Sequence, residues 1–308
     1  MTVKSLVLAL FLGWIFLISP GRAAPGAGAL TPVPYTLGEG RQLTGYLSVP
    51  PTYRPGDKYP AILLIHGGKG VDAASPPRQA LSFLKTKVVQ EHLVPHYVVF
   101  SAEYYSEFFA DPRELASMAA ALKTLAALPQ VDPERLAALG VSHGGYLALM
   151  CAMHPVIRPK PRAAVSVSGV VDVAAFVANK LLAKQVILSR RPESSEVVDR
   201  EPYEYVTRKV MAAWGWPPDR DAATRENYRR ASVLTHVPNL AGPLLVIHGT
   251  TDHLVPLSQA RELQQALKAQ HKSGDFLIIP TGKTGGHFIF FTDREVWQKI
   301  KAFLRKNL

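Results

Sequence analysis

Residues 135–153, Arg135-Leu136-Ala137-Ala138-Leu139-Gly140-Val141-Ser142-His143-Gly144-Gly145-Tyr146-Leu147-Ala148-Leu149-Met150-Cys151-Ala152-Met153, set a G-x-S-x-G between two apolar runs. Residues 135–139 read as a short buried strand and residues 146–153 as a helix. A serine on a sharp strand-to-helix turn is held out at the sheet edge in a strained conformation. The flanking glycines are needed because a side chain at either position would collide with the neighbouring strand or helix. Such strain costs roughly 1–3 kcal/mol, so the surrounding fold must over-determine it. Ser142 is therefore the candidate nucleophile.

Outward from that turn, apolar runs alternate with helical stretches. Tyr35–Val49 contains two β-like runs split by Gly38-Glu39-Gly40, a hairpin signal. Ala61–Ile65 is continuously apolar and ends in His66-Gly67-Gly68, which suits a strand buried on both faces. Tyr97–Phe100, Ala163–Ser168, Pro243–Ile247 and Phe276–Ile279 read as further strands. Asp111-Pro112 opens a helix running to Leu128, a second helix lies near 257–270, and 293–307 is an amphipathic C-terminal helix. The pattern predicts an α/β fold: a mostly parallel sheet with helices on both faces and the strand C-terminal ends on one rim. The interval from Ser168 to Pro243 is too long for one crossover. It holds Tyr203, Tyr205, Trp214, Trp216 and Tyr228, and reads as a helical cap insertion over the rim at about 172–238.

The N-terminus is a separate object. Lys4, an apolar run from Ser5 to Ser19 and then Pro20-Gly21-Arg22-Ala23-Ala24 read as a secretory signal peptide over residues 1–23. Cleavage after Ala29 is the rival to cleavage after Ala23, and an uncleaved signal anchor is the alternative to both. Residues 24–34 read as a flexible leader, and 35–308 as one domain in a secreted or periplasmic protein. The single cysteine, Cys151, allows no intramolecular disulfide and reads as a small buried hydrophobe. The net charge of +11 has no nucleic-acid motif beside it, and solvated faces are the expectation. No Cys/His/carboxylate cluster has metal spacing, and Gly282-Lys283-Thr284 lacks the leading glycine of a phosphate loop. Neither metal nor cofactor is expected; the expected partner is a small ester or a short peptide.

A serine hydroxyl needs a base to take its proton, and the base needs an acid to orient it. In α/β-hydrolases these occur in the order Ser, Asp/Glu, His. Asp252, in His248-Gly249-Thr250-Thr251-Asp252, follows one strand, and His287, in Gly285-Gly286-His287, follows the last. Asp252 is the preferred acid and Asp172, after the strand ending at Ser168, is its rival; Asp275 opens a strand at the wrong rim. Of the ten histidines, His287 has the flexible loop and the chain order of a base. His143 adjoins the serine but points away from it, and His66 and His248 read as structural. An oxyanion hole needs two backbone N–H groups. His143 supplies one, and Gly68 the other, with Gly67 or Lys69 as alternatives.

Several segments together resemble the catalytic domain of the prolyl oligopeptidase family. They are Gly45-Tyr46-Leu47, Tyr59–Gly68, Val131-Asp132-Pro133-Glu134-Arg135 leading into Gly140–Tyr146, Tyr228–Ser232, and Gly242–Asp252. The resemblance spans about residues 43–305. It implies the α/β-hydrolase fold, a Ser142–Asp252–His287 triad and acyl-transfer hydrolysis without a cofactor. Two departures stand out: 308 residues leave no room for that family's β-propeller, and His143 stands where tyrosine is common. The sequence thus predicts a serine hydrolase acting on a peptide amide or a carboxylic ester. The rival readings are a carboxylesterase without peptidase activity and an inactive binding module on the same fold.

Overall fold

The computed structural model describes residues 30–38, 40–68, 79–105, 109–190, 209–280 and 286–308, without the side chains of 186–190. The expected signal peptide, Lys69, Tyr203, Tyr205, Gly285 and the Gly282-Lys283-Thr284 stretch lie outside the described residues.

Eight strands form one sheet. They are β1 (Thr31–Thr36), β2 (Gln42–Ser48), β3 (Tyr59–Ile65), β4 (Val98–Ala102), β5 (Val131–Val141), β6 (Ala163–Val167), β7 (Leu244–Gly249) and β8 (Asp275–Ile279). Their spatial order is β1-β2-β4-β3-β5-β6-β7-β8. The first two are antiparallel additions, and every pairing from β4 to β8 is parallel. The mostly parallel sheet matches the expected α/β-hydrolase architecture. The leader expected to reach residue 34 ends earlier, because Thr31 already pairs with Leu47.

The apolar runs are buried on both faces. Ala61, Leu63 and Ile65 of β3 enter one core and Ile62 and Leu64 the other, the period-2 division of a sheet covered on both sides. The first core is roofed by α3 (Pro112–Ala126) and α4 (His143–Met153), and the second by α1 (Gln79–Leu84), α2 (Lys87–His92) and the C-terminal helix Arg294–Asn307. Every residue of α4 is buried, so its Ala- and Leu-rich sequence has no polar face to present. β5 is longer than residues 135–139. It begins at Val131 and bulges against β3 between the Tyr59 and Ala61 pairings, where Pro133 cannot donate to a ladder.

The insertion between β6 and β7 is helical. It holds α5 (Val173–Arg190), the short helix Met211–Trp214, the helix Ala222–Ala231 and the 3₁₀ segment Val233–Asn239. Trp214, Tyr228, Ala231, Val233 and Val237 are buried in the first core, and the Tyr146 hydroxyl donates to Ala231 O at 3.1 Å. The aromatics there pack on one another, the Tyr228 ring lying 5.1 Å from Trp214 and 6.1 Å from Trp216. The first helix, α5, reaches back toward the rim through Lys180, whose Nζ meets His253 O.

Candidate active site

Ser142 links β5 to α4 at φ 58° and ψ −120°, a conformation that costs a residue with a Cβ. It is pinned from both sides. Its N–H donates to Val167 O at 2.8 Å, continuing the β5–β6 pairing, and its carbonyl accepts from Tyr146 N at 3.0 Å, the first bond of the helix. The turn is tight because its neighbours have no side chains. A Cβ on Gly144 would lie 2.2 Å from Ile65 O, and one on Gly67 would lie 2.9 Å from Val141 O and 3.1 Å from the Ser142 Cβ. The loop after β3 therefore runs directly against the serine.

The acid and base meet two strands away. Asp252 follows β7, and its Oδ1 accepts from Leu254 N at 2.9 Å and Val255 N at 2.8 Å. Its Oδ2 lies 2.9 Å from His287 Nδ1. Gly249 and Gly286 touch backbone to backbone, a Cβ on Gly249 falling 2.4 Å from Gly286 O, which draws the His287 segment over the end of β7. Burial would raise the Asp252 carboxyl, but the hydrogen bond and charge of His287 and the Val255 N–H outweigh it and hold it below 3.8. His248 supports this loop from beneath. Its Nε2 donates to Val255 O at 2.8 Å and lies 3.5 Å from Asp252 Oδ2, while burial lowers its pKa.

β5 and β7 flank β6, so the serine and acid loops stand two strand spacings apart, about 10 Å. His287 is buried beside Asp252, on the acid side of that span. Its Nδ1 faces Asp252, and among the described residues no hydrogen bond joins its Nε2 to the Ser142 hydroxyl. Such bonds commonly tighten only with substrate.

The rival acid sits elsewhere. Asp172 Oδ1 accepts from Ala174 N at 2.8 Å and Ala175 N at 3.1 Å, capping the start of α5. Asp275 opens β8 and pairs with Lys299 at 3.3 Å. His154 and His236 lie against each other at the far end of α4, where burial first, then His236 and Lys160, push His154 down to about 4. Cys151 is buried on α4 and its thiol is pushed up to about 12 by that burial.

The loop expected to complete an oxyanion hole is held from behind. Gly68 has φ +76°, which glycine adopts without strain. The His66 Nδ1 donates to Gly67 O at 2.8 Å, and the Tyr104 hydroxyl donates to His66 O at 3.0 Å. Glu103 stands 3.5 Å from His66 Nε2 and accepts from Ala80 N at 2.9 Å. His143 opens α4, where backbone N–H groups and the helix dipole favour negative charge. Its side chain turns away from the serine, as expected, and meets Glu114 of α3, with Nε2 2.5 Å from Oε1.

Glu114, Lys180 and Gln259 are the site-supporting residues that sequence reasoning missed. Glu114 sits three residues after the helix-capping Asp111, a pattern normally read as a solvent-facing capping box, yet it is fully buried. Lys180 is buried on α5 with its Nζ 3.2 Å from His253 O, beside the acid. Burial lowers its pKa and Asp252 pulls the other way. Among the described residues no group of three His, Cys, Asp or Glu side chains could hold a metal ion, and no helix is long and apolar enough to cross a membrane.

The fold recurs in solved structures. The chain is similar to the Pyrococcus horikoshii acylaminoacyl peptidase, with TM-score 0.67 and 19% identity over 91% of this chain and 42% of that one. It is also similar to the Porphyromonas gingivalis dipeptidyl peptidase 4, with TM-score 0.64 and 18% identity over 92% and 36%. The Thermogutta terrifontis esterase 2, solved phosphoramylated by tabun, matches along nearly its whole length: TM-score 0.59, 16% identity, 92% of this chain and 97% of that one. The chain thus spans about two fifths of the peptidases and nearly all of the esterase. Residues 49–267 match the model of one family, BD-FAE, whose domain is an esterase of the α/β-hydrolase type. The strained serine, the paired carboxylate and imidazole, and that match over most of the chain agree: this protein belongs to the BD-FAE family of α/β-hydrolases.

Proposed function

We propose that this protein is an exported serine hydrolase that cleaves carboxylic esters or short peptide amides through an acyl-enzyme, with Ser142, His287 and Asp252 as nucleophile, base and acid. The observation that carries the reading is the buried Asp252–His287 pair on the same rim as a serine held at φ 58°. His287 Nε2 takes the Oγ proton as Oγ attacks the carbonyl carbon. The oxyanion so formed accepts from the N–H groups of His143 and Gly68, each donor commonly worth about 10²–10³ in rate. The imidazolium, held by Asp252, returns its proton to the leaving oxygen or nitrogen, and water repeats the cycle on the acyl-enzyme. Export rests on residues 1–23, with their single lysine and apolar run.

Family membership favours esters as the first substrates to test, while the peptidase neighbours favour amides. A panel of p-nitrophenyl esters of increasing acyl length beside peptide anilides of one to four residues separates the two. Ester cleavage alone at every peptide length removes the peptidase reading. Turnover of neither class, with no labelling by a fluorophosphonate, removes the hydrolase reading and leaves a binding module.

A further inference from the structure

Behind the turn that carries Ser142, a buried carboxylate faces the imidazole of the next residue. Glu114 Oε1 is 2.5 Å from His143 Nε2, and both side chains are almost wholly inaccessible, at 0% and 5% exposure. The other oxygen, Oε2, accepts from Ala110 N at 2.8 Å. Asp111 caps the same helix start through Arg113 N at 2.9 Å, so the carboxylate stands on a fixed base. The His143 ring is also stacked, with Phe109 at 4.6 Å and 20° and with Tyr104 at 5.8 Å and 13°. The Tyr104 hydroxyl in turn donates to the carbonyl of His66 at 3.0 Å and lies 3.4 Å from that of Gly68, on the loop that faces the serine.

A carboxylate in this position is costly to bury, and an apolar pair of the same shape would pack α3 on α4 at less expense. Its location points to a use. The His143 ring is joined through Cβ and Cα to the backbone nitrogen, so holding the ring restrains the backbone from which that N–H projects.

We infer that Glu114 is a positioning residue: by gripping the His143 imidazole it aims the His143 N–H at the developing oxyanion, while Tyr104 ties the same stack to the loop that supplies the second donor. The inference rests on the proposed oxyanion hole and adds to it a residue from a different helix. A misplacement of about 1 Å in such a site can cost about 10²-fold in rate.

The test is the rate of phosphonylation by an alkyl fluorophosphonate, whose phosphoryl oxygen occupies the oxyanion position whatever the natural substrate. It is split into binding (KI) and chemistry (kinact). The double variant His143→Phe, Glu114→Leu removes both polar partners together, so neither is left buried without the other. It also removes the acceptor of the Ala110 N–H, so the melting temperature is expected to fall by a few degrees and KI to stay within about threefold, while kinact falls about 10- to 100-fold. Glu114→Gln keeps the size of the side chain and is expected to lose about 10-fold in kinact, and it carries the test if the double variant does not fold. Wild-type kinact in either folded variant overturns the inference. A Ser142→Ala arm separates this failure from that of the hydrolase reading: persistent labelling there means that the reading itself has failed, and the inference with it.

Discussion

The loops after β6 and β7 start alike and end differently. Each leaves a buried parallel strand at the same rim, and each carries an aspartate within five residues of the strand end, Asp172 after Val167 and Asp252 after Gly249. Asp172 turns onto the N-terminus of α5, where two backbone N–H groups take its Oδ1. Asp252 also satisfies two backbone N–H groups with one oxygen, but its second oxygen points at His287. The difference lies in the chain immediately downstream of each acid. Behind Asp172 a helix begins at once and claims the carboxylate. Behind Asp252 the Pro256 turn delays the next helix to Ser258, and the contact of Gly249 with Gly286 brings an imidazole within reach. Of the two carboxylates, Asp252 is the one whose second oxygen meets an imidazole.

The two loops are also tied to each other. Gln259, on the helix downstream of Asp252, accepts with its Oε1 from Val171 N at 2.7 Å and Asp172 N at 2.8 Å. Lys180, on the helix downstream of Asp172, donates to His253 O at 3.2 Å. Each loop is thus clamped by the element that succeeds the other.

Four substitutions and one titration separate the loops. Asp252→Asn is expected to lower kcat by about 10⁴ by removing the charge that orients and stabilises the imidazolium, whereas Asp172→Asn leaves kcat within a fewfold; the reverse order would exchange their roles. Gln259→Leu strips one buried and one part-buried N–H group of their acceptor, and denaturant unfolding is expected to show a loss of about 2 kcal/mol. Asp172→Ala removes a helix cap and is expected to cost about 1 kcal/mol with kcat nearly unchanged. The smallest effect is in acid. The Asp252 carboxyl is held below its usual 3.8 in the folded chain, so its contribution to stability is complete above that value and is lost as pH falls through the folded value. The stability gap between wild type and Asp252→Asn should therefore close below about pH 4; a gap that widens there would contradict the pairing.

Local signals made much of this legible. The apolar runs at 61–65 and 163–167 and the glycine-flanked serine are short-range patterns, and each fell on the element expected of it. The choice between Asp172 and Asp252 was legible only in part, because capping and catalysis ask for the same residue in the same place. Glu114, Lys180 and Gln259 were illegible for a different reason. Their partners lie 29, 73 and 88 residues away in the chain, and a charged or amide side chain on a helix is ordinarily solvated. Trp214 and Tyr228 likewise carry no local mark that tells a buried aromatic from an exposed one.

If Ser142 is activated by a His287 that Asp252 orients, the serine should lose its reactivity with the imidazole. Peptide mapping by mass spectrometry after reaction with an alkyl fluorophosphonate reads this on wild type and on His287→Ala with its fold checked by circular dichroism. One adduct is expected, on Ser142, and it is absent from the folded His287→Ala protein. An adduct on another residue, or equal labelling of Ser142 without His287, would contradict that activation.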